Sequence, residues 1–241
     1  MRYFRKRRLH VRRKADGSPV TDADRRIEER LRQALRRACP GEPIVGEEFG
    51  GTAPRDGTFW TIDPIDGTRA FSRGLPSWGI LVGRVEAGRA VVGVCDFPLA
   101  DARVAVAPGV AARERFRGSS LPLPRKRMVR PLSETVLFHG GVNWWQGTPF
   151  LAGFERLMSA CYLERAYGDC FGYLWVLRGY ADAMLDYVVH VWDLAPLAAL
   201  AESTGLALTD ERGRPGFRGP GAIMAPPRLA RTISRALTHS S

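Results

Sequence analysis

The chain has 241 residues, of which 45% are hydrophobic, and it carries a formal net charge of +11. This length and apolar content suffice for a full core in one domain or in two closely packed halves. No apolar run reaches the roughly 18 to 20 residues that span a bilayer. The basic N-terminal segment lacks the apolar stretch of a signal peptide, and the four cysteines have neither disulfide-framework nor zinc spacing. A membrane protein is therefore excluded, and a cytoplasmic protein is expected.

The predicted elements divide the chain into two halves of one compact unit, 1–125 and 126–241. The first half is expected to be α+β, with a helix after residue 21, short strands, and a β-meander over 77–107 that forms an antiparallel sheet. The second half alternates strands and helices, as an α/β unit does. Its predicted elements are a strand at 135–138, helices near 149–160 and from 170, a strand at 183–185, a helix after Trp192 with Pro196 in its first turn, and a last helix near 227–238.

The first helix follows an extended segment that begins at Lys14. Thr21 and Asp24 have the spacing of a capping box, so a structural role for Asp24 carries as much weight as a functional one. The helical period predicts an apolar face made of Ile27, Leu31, Leu35 and Ala38.

The most informative stretch is D-P-I-D-G-T at 63–68, which directly follows an apolar run that predicts a strand. Pro64 is expected to stop the strand ladder, so that Asp63 and Asp66 emerge at its C-terminal end. Gly67 allows a close backbone approach, and the hydroxyl and N–H of Thr68 suit an anion. An isolated D-G-T is more often an Asx turn, and other parts of the chain must decide between the two interpretations.

Two further acids occur at predicted element ends. Glu47 lies in G-E-E at 46–48 after a short strand, and Asp193 lies in the first turn of a predicted helix, where an acid is usually a cap residue. Together with Asp63 and Asp66 they form a set of four carboxylates, which would repel one another unless cations neutralised them. Oxygen ligands without histidine or cysteine are typical of Mg²⁺ sites.

Four motifs occur in a recognisable order: K-x-D-x-S-P-V-T-x-A-D at 14–24, G-E-E at 46–48, D-P-I-D-G-T at 63–68 and W-D at 192–193. In this order they resemble the motifs of the inositol monophosphatase superfamily of Mg²⁺-dependent, lithium-sensitive phosphatases. The resemblance spans roughly residues 4–210. It implies the five-layer α-β-α-β-α sandwich of the fructose-1,6-bisphosphatase-like sugar phosphatases.

The resemblance also implies the metal ligands. Glu47, Asp63 and the backbone carbonyl of Ile65 would hold the first Mg²⁺, while Asp63, Asp66 and Asp193 would hold the second. Two or three Mg²⁺ ions per active site are implied. The reaction implied is hydrolysis of a phosphomonoester by a metal-activated water, without a covalent phosphoenzyme.

The remaining roles follow from the same resemblance. Thr68, hydrogen-bonded towards Glu47, would orient and deprotonate the water, and the N–H groups of Gly67 and Thr68 would hold the phosphate oxygens. Lys14 and Asp24 would support the metal ligands from behind or help to hold a third, weaker metal.

The substrate is predicted from G-D-C-F-G-Y at 168–173. Inositol-type members usually carry G-S-A-A there, whereas the superfamily's histidinol-phosphate phosphatases carry G-D-x-x-G-Y. A carboxylate at Asp169 would pair with the ammonium of histidinol phosphate, and Asp186 aligns with the position that contacts the alcohol part. A helix N-cap is the structural alternative for Asp169.

The resemblance therefore favours hydrolysis of histidinol phosphate to histidinol and phosphate in histidine biosynthesis. The alternatives are an inositol-1-phosphate phosphatase, a relaxed sugar- or nucleotide-phosphate phosphatase, and a regulatory RNA-binding protein on a phosphatase scaffold. The last alternative comes from a basic arm at the N-terminus, for which a solvated face is favoured over nucleic-acid binding. The arm consists of Arg2, Arg5, Lys6, Arg7, Arg8, Arg12, Arg13 and Lys14.

Membrane binding is not expected, and a homodimer is the expected assembly.

Overall fold

The structure of the protein is a computed structural model that describes residues 4, 11–14, 17, 19–125 and 129–238. Arg2, Arg5, Lys6, Arg7 and Arg8 of the basic arm lie outside the described residues. The strands are β1 (Val11–Arg13), β2 (Pro19–Thr21), β3 (Ile44–Gly46), β4 (Phe59–Asp66), β5 (Gly79–Glu86), β6 (Arg89–Phe97), β7 (Ala102–Ala107), β8 (Val110–Phe116), β9 (Ser119–Pro122), β10 (Val136–His139), β11 (Leu163–Ala166), β12 (Ala183–Tyr187), β13 (Ala207–Thr209) and β14 (Gly221–Ala225). The helices are α1 (Asp22–Ala38), α2 (Thr68–Arg73), α3 (Leu151–Ala160), α4 (Cys170–Arg178), α5 (Val191–Thr204) and α6 (Pro227–Thr238).

Two large sheets organise the fold. The seven-stranded sheet has the order β3-β4-β5-β6-β7-β8-β9, and the five-stranded sheet has the order β11-β10-β12-β14-β13. Helices α1 and α2 cover the outer face of the first sheet, α4 and α5 pack between the sheets, and α3 and α6 cover the second sheet. The predicted five-layer α-β-α-β-α sandwich is therefore confirmed, whereas the predicted division into 1–125 and 126–241 stays a prediction. Within the described ranges, no helix combines the length and apolar character needed to cross a bilayer.

The seven-stranded sheet extends further than the sequence pattern predicts. The meander at 77–107 corresponds to β5, β6 and β7, but β8 and β9 continue the antiparallel ladder. These two strands were not predicted because most of their residues are exposed, and apolar and polar residues do not alternate regularly along them. Only Ala112 is buried in β8, so the strand has almost no apolar alternation to mark it.

Helix α1 begins with the predicted capping box. The Thr21 N–H donates to Asp24 Oδ2 at 2.8 Å, and Thr21 Oγ1 accepts from the Ala23 N–H at 3.2 Å. The predicted apolar face was wrong in part, because the residues that α1 buries are Ala23, Asp24 and Glu28. The residues of the predicted face are half-buried or, at Ala38, exposed; they are Ile27, Leu31, Leu35 and Ala38.

The sequence pattern predicted that strand β4 ends at Pro64. This prediction was wrong, because the strand continues to Asp66. Asp63 pairs with Leu81 and Asp66 pairs with Gly79, with a shift of register between them. Pro64 has no N–H to donate, and a bulge is where an interior strand tolerates such a residue. The strand therefore resumes after the proline, with both acids still at its C-terminal end.

Helix α5 lies against β5 and β6 where two glycines face each other. Gly83 and Gly93 are register partners. A Cβ at Gly93 would lie 2.1 Å from the carbonyl oxygen of Pro196, and one at Gly83 would lie 2.9 Å from its nitrogen. Pro196 was predicted in the first turn of α5. It lies in the second turn, because the helix already begins at Val191. The glycine pair thus allows the helix backbone to approach the sheet closely.

Candidate active site

A cavity of about 510 Å³ opens where the C-terminal end of β4, the start of α5 and the start of α4 meet. Its walls come from both predicted halves of the chain. The predicted site residues that line it are Glu47, Asp63, Ile65, Asp66, Gly67, Thr68, Asp169, Asp186 and Asp193. Lys14 and Asp24 contact this set from behind.

Three acids at the floor of the cavity form a compact cluster. Asp63, Asp66 and Asp193 each place one carboxylate oxygen so that all three oxygens lie within 4.8 Å of one another. The backbone orients two of these side chains: Asp63 Oδ1 accepts from the Ile65 N–H at 2.9 Å, and Asp193 Oδ2 accepts from the His190 N–H at 2.7 Å. The second bond is part of a capping box at the start of α5. Asp193 is thus both a cap residue and a member of the cluster.

Asp66 is held from the other side of the cavity. Its Oδ2 accepts a hydrogen bond from the N–H of Cys170, the first residue of α4. A helix leaves its first N–H groups without an intrahelical partner. Asp66 therefore satisfies one of these groups in α4 while its other oxygen is available to the cluster.

The cluster is electrostatically costly without a cation. Burial, followed by the charges of Glu47, Asp66 and Asp193, raises the pKa of Asp63 well above its usual range. Burial, with Asp169 and Asp193 next in importance, likewise raises the pKa of Asp66. Three converging carboxylates, with the charged forms of Asp63 and Asp66 disfavoured, match the donor set of a hard divalent cation, which would remove both the repulsion and the desolvation penalty.

Glu47 lies at the edge of the cavity, one residue after β3. Its N–H donates to the Ile62 carbonyl at 3.1 Å, so its backbone is bonded to β4 next to Asp63. Its Oε1 lies 2.7 Å from Lys14 Nζ, and the same ammonium lies 2.6 Å from Glu48 Oε1. Burial would lower the pKa of Lys14, but these two acids outweigh that effect and raise it. Lys14 therefore stays charged and partly neutralises this side of the site.

The predicted hydrogen bond between Thr68 and Glu47 was wrong. Thr68 Oγ1 lies 3.1 Å from Asp24 Oδ1 and 3.0 Å from the Ile65 carbonyl oxygen, and its single hydroxyl hydrogen can be donated to either acceptor. The physical reason is the position of α1, whose first turn places Asp24 directly behind Thr68. Asp24 consequently contacts both Thr68 and the start of its own helix, because its other oxygen completes the capping box.

Gly67 has a conformation and a position that only glycine tolerates. Its φ is +91°, and a Cβ would lie 2.8 Å from the Ser77 carbonyl oxygen and 3.1 Å from Asp169 Oδ2. Glycine therefore permits the close packing at this position, where Asp169 is an immediate neighbour, and both Gly67 and Thr68 line the cavity.

Asp169 occupies the N-cap position of α4, but its side chain makes no capping hydrogen bond. Its φ of 58° and ψ of −164° form a conformation that is rare for any residue other than glycine. Burial and then Asp193 raise the pKa of Asp169 to about 6, against the lowering effect of Arg69. Asp169 thus occupies the N-cap position that the alternative interpretation predicted. Its carboxylate does not act as a cap and faces the cavity instead.

Asp186 is buried at the end of β12 on the same side of the cavity as Asp169. Its Oδ1 accepts from the Tyr187 N–H at 2.9 Å. Burial, and then the charge of Asp169, raises the pKa of Asp186 well above its usual range. The two acids therefore form a second negative region of the wall, next to the metal-type cluster.

Several lining residues were not found from the sequence. Arg69 follows the D-P-I-D-G-T motif, and its guanidinium carbon lies 4.6 Å from the ring centroid of Trp144, which belongs to the other half. His190 and Trp192 stack with centroids 4.8 Å apart and rings inclined by 8°. A usable signal existed for Trp144, because it follows the predicted strand at 135–138, and strand C-terminal ends supply site residues in α/β sheets.

The comparisons with known proteins agree with this geometry. A family model described as the inositol monophosphatase family matches residues 1–240. The histidinol-phosphatase of Mycobacterium tuberculosis is 36% identical over 215 residues, which cover 89% of this chain and 83% of that protein. The histidinol-phosphatase of Chlorobaculum parvum is 32% identical over 236 residues, which cover 98% and 89%.

The fold is also shared with solved structures. A crystal structure of an IMPase/NADP phosphatase complexed with Mg²⁺ and phosphate superposes with a TM-score of 0.79 at 19% identity, covering 97% of this chain and 87% of that one. The layered fold and the acidic cavity, together with these matches, define a phosphoric monoester hydrolase. The chain belongs to the inositol monophosphatase family, as its motifs predicted.

Proposed function

We propose that the protein is a cytoplasmic, Mg²⁺-dependent phosphatase that hydrolyses histidinol phosphate to histidinol and phosphate in histidine biosynthesis. The observation that carries the choice of substrate is Asp169. Its carboxylate faces the cavity from a strained backbone position and caps nothing. Two relatives at 36% and 32% identity are histidinol-phosphatases, which supports the same substrate. The expected homodimer belongs to this proposal, and sedimentation of the purified protein checks it.

The proposed ligands of Mg²⁺ are the cluster acids Asp63, Asp66 and Asp193, with Glu47 and the carbonyl oxygen of Ile65 beside them. When bound, Mg²⁺ would supply a Lewis acid that makes water nucleophilic and balances the charge of the phosphate. The acids fit such ions because their only donor atoms are oxygens, and because the charged forms of Asp63 and Asp66 are disfavoured without a cation. Lys14 limits the negative charge around Glu47 and so holds its carboxylate in a defined position.

The chain's own groups account for substrate orientation and proton movement. Gly67 and Thr68 both line the cavity, so their N–H groups would hold the phosphate oxygens as negative charge develops. Because the Thr68 hydroxyl donates towards Asp24, its oxygen can accept a proton from the attacking water while its own proton passes to Asp24. Burial raises the pKa of Asp24, which favours that acceptance.

Recognition of the alcohol part is assigned to the second negative region. Asp169 would pair with the primary ammonium of histidinol phosphate in a partly desolvated cleft, where a charge-assisted hydrogen bond is strong. Asp186 would contact the same part of the substrate from the end of β12. A polyol such as inositol offers no cation to these two acids, so binding it would leave their negative charges uncompensated.

The test is phosphate release from histidinol phosphate, inositol 1-phosphate and an adenosine bisphosphate in parallel, with Mg²⁺ and with a chelator. We expect a strong preference for histidinol phosphate and no turnover with the chelator. Asp169→Ser should lower kcat/KM for histidinol phosphate about 10- to 100-fold, since hydrogen bonds to charged groups contribute roughly 1.5 to 3 kcal/mol. The same change should have little effect on a polyol phosphate. Equal losses on both substrates would contradict the role of Asp169.

A further inference from the structure

Helix α1 buries two acids on one face, and each contacts a different loop of the active site. Asp24 and Glu28 are four residues apart, so they lie one above the other on the helix surface, and both have 0% of their surface exposed. Asp24 accepts from Thr68, which belongs to the D-P-I-D-G-T loop. Glu28 contacts the turn at 46–50, which contains Glu47. The proposed role of Asp24 is catalytic, whereas Glu28 lies behind the turn and does not line the cavity.

The contacts of Glu28 are directed at the backbone of the turn. Its Oε2 accepts from the Glu48 N–H at 2.7 Å, and its Oε1 accepts from the Phe49 N–H at 3.3 Å. A Cβ at Gly46 would lie 1.9 Å from Glu28 Oε1, so the turn has no space to shift towards α1. Both N–H groups next to Glu47 on its C-terminal side are therefore fixed by one buried carboxylate.

Arg32 completes the contact and neutralises the buried charge. Its Nε donates to Glu28 Oε1 at 2.7 Å, and its terminal nitrogens donate to the carbonyl oxygens of Ile44 at 3.2 Å and Gly50 at 2.5 Å. The guanidinium also lies 5.8 Å from the ring centroid of Phe49. The pair Glu28–Arg32 thus bonds the turn before, within and after the segment that carries Glu47.

The opposite side of the turn is fixed as well. The Glu47 N–H donates to the Ile62 carbonyl, directly before Asp63, at 3.1 Å. The turn is therefore held between α1 and β4, and the position of the Glu47 carboxylate relative to Asp63 depends on both contacts. A buried ion pair is not a particularly efficient source of stability, and an apolar contact at this place could stabilise the fold equally well. Directional hydrogen bonds to the two N–H groups do what an apolar contact cannot, which is to fix the orientation of the backbone.

We propose that Glu28, with Arg32 as its counter-ion, is a positioning residue that sets the Glu47 carboxylate for metal binding. The inference rests on the proposed function, because it takes Glu47 as a Mg²⁺ ligand. Residues that orient metal ligands typically affect metal affinity about 10- to 100-fold when replaced. Glu28 should therefore act on the affinity for Mg²⁺ and much less on the rate at saturating Mg²⁺.

The experiment compares Glu28→Gln with Glu42→Gln in the full chain. Glutamine has nearly the size of glutamate but replaces one of the two acceptor oxygens by an N–H₂ group. The N–H₂ group cannot accept a hydrogen bond, so the N–H donors that face it, from Glu48 or from Phe49 and Arg32, lose their acceptor. Glu42 is a matched control, because its carboxylate also accepts from an arginine, Arg84, at 2.7 Å, and does not line the cavity. The readouts are the Mg²⁺ Kd by titration calorimetry without substrate, and kcat as a function of Mg²⁺ concentration.

We expect Glu28→Gln to raise the Mg²⁺ Kd at least about 10-fold, with kcat restored at high Mg²⁺, and Glu42→Gln to change neither quantity. A Kd within twofold of wild type, or equal increases in the two variants, would overturn the proposal. If Glu28→Gln does not fold, the double variant Glu28→Gln/Arg32→Gln leaves no unpaired charge and is judged by the same Kd criteria. A wild-type chain that binds no Mg²⁺ would instead refute the proposed function, and that result is visible before any variant is made.

Discussion

Asp66 accepts a hydrogen bond from the backbone N–H of Cys170, 104 residues further along the chain. The acid at the end of β4 thereby supplies the capping interaction at the start of α4 that the side chain of Asp169 does not make. One carboxylate thus contributes to the metal-type cluster and to the attachment of the helix that carries the proposed specificity residue. Changes at Asp66 should affect catalysis and stability in opposite directions.

We expect Asp66→Asn to abolish turnover and to raise the melting temperature of the metal-free protein. Asparagine keeps an oxygen that can accept from Cys170 but removes a charge that burial and Asp169 disfavour. The measurements are phosphate release with Mg²⁺ and thermal unfolding in chelator. Asp182→Asn is the control, since Asp182 also accepts a backbone N–H, from Val136 at 2.8 Å, away from the cavity. A metal-free variant that melts below wild type would show that the charged hydrogen bond to Cys170 stabilises the fold more than repulsion among the acids destabilises it.

The metal-free protein should become less stable as the pH rises. The pKa values of Asp63 and Asp66 are raised in the folded chain, so it binds more protons than the unfolded chain. The free energy of unfolding therefore decreases from about pH 4, the unfolded carboxyl pKa, until the pH exceeds the folded values. Mg²⁺ binds the deprotonated acids, so its stabilising effect should grow over the same range.

Melting temperatures in chelator and in saturating Mg²⁺ at a series of pH values test this dependence. Each kcal/mol corresponds to about 2 to 4 °C for a protein of this size. The two curves should diverge as the pH rises. Parallel curves would contradict the assignment of the three acids to a metal site.

Thr68→Ala should lower kcat about 10²- to 10³-fold, the usual loss for a single positioned hydrogen-bonding group in an active site. Thr68→Ser keeps the hydroxyl that donates towards Asp24 and should retain most of the activity. The comparison separates the hydroxyl from the methyl group, which packs at a buried position. If serine and alanine were equally impaired, the hydroxyl would not be the proton carrier.

Asp169→Gly and Asp169→Ala should both lose the preference for histidinol phosphate, but they should differ in stability. The φ of 58° and ψ of −164° suit glycine, whereas alanine keeps a Cβ and the associated strain of about 1 to 3 kcal/mol. We therefore expect the glycine variant to melt at the higher temperature. Chemical denaturation, together with kcat/KM on histidinol phosphate and inositol 1-phosphate, checks both statements. Equal stabilities would mean that the backbone relaxes when the carboxylate is removed.

Gly93→Ala should disturb the site from the opposite face of α5. The new Cβ would lie 2.1 Å from the Pro196 carbonyl oxygen, so the helix must move away from the sheet. Overpacking of this kind costs about 1 to 3 kcal/mol, and the shift would carry Asp193, one turn earlier, out of the cluster. We expect a lower melting temperature and a weaker affinity for Mg²⁺. Gly219→Ala is the control, since the contact nearest to its Cβ would be 3.5 Å away.

The sequence predicted the parts of the site that follow local rules. Asp63 and Asp66 could be placed because an apolar strand, a proline and a glycine surround them, and the family resemblance supplied Asp193. The partner of Thr68 could not be predicted, because the choice between Glu47 and Asp24 depends on how α1 packs. Local periodicity carries no information on such a contact.

Charged residues caused the other errors. In α1 the sequence pattern favours Ile27 and Leu31 as the buried face, yet Glu28 is buried more completely, because the turn at 46–50 and Arg32 satisfy its carboxylate. Strand β8 was not predicted for a related reason: most of its residues are exposed, and its pairing is decided by β7. In both places a long-range partner outweighs the hydrophobic pattern.

The three acids of the cluster reach each other only when α5 has settled on the glycines of β5 and β6. Asp63 and Asp66 are close in sequence, but Asp193 comes from a helix that is synthesised more than a hundred residues later. Mutual repulsion therefore opposes the docking of α5 far more than the formation of β4. A divalent cation held by the acids would act on that docking step, so the supply of metal should govern how firmly the central layer of the molecule closes as well as whether the enzyme turns over.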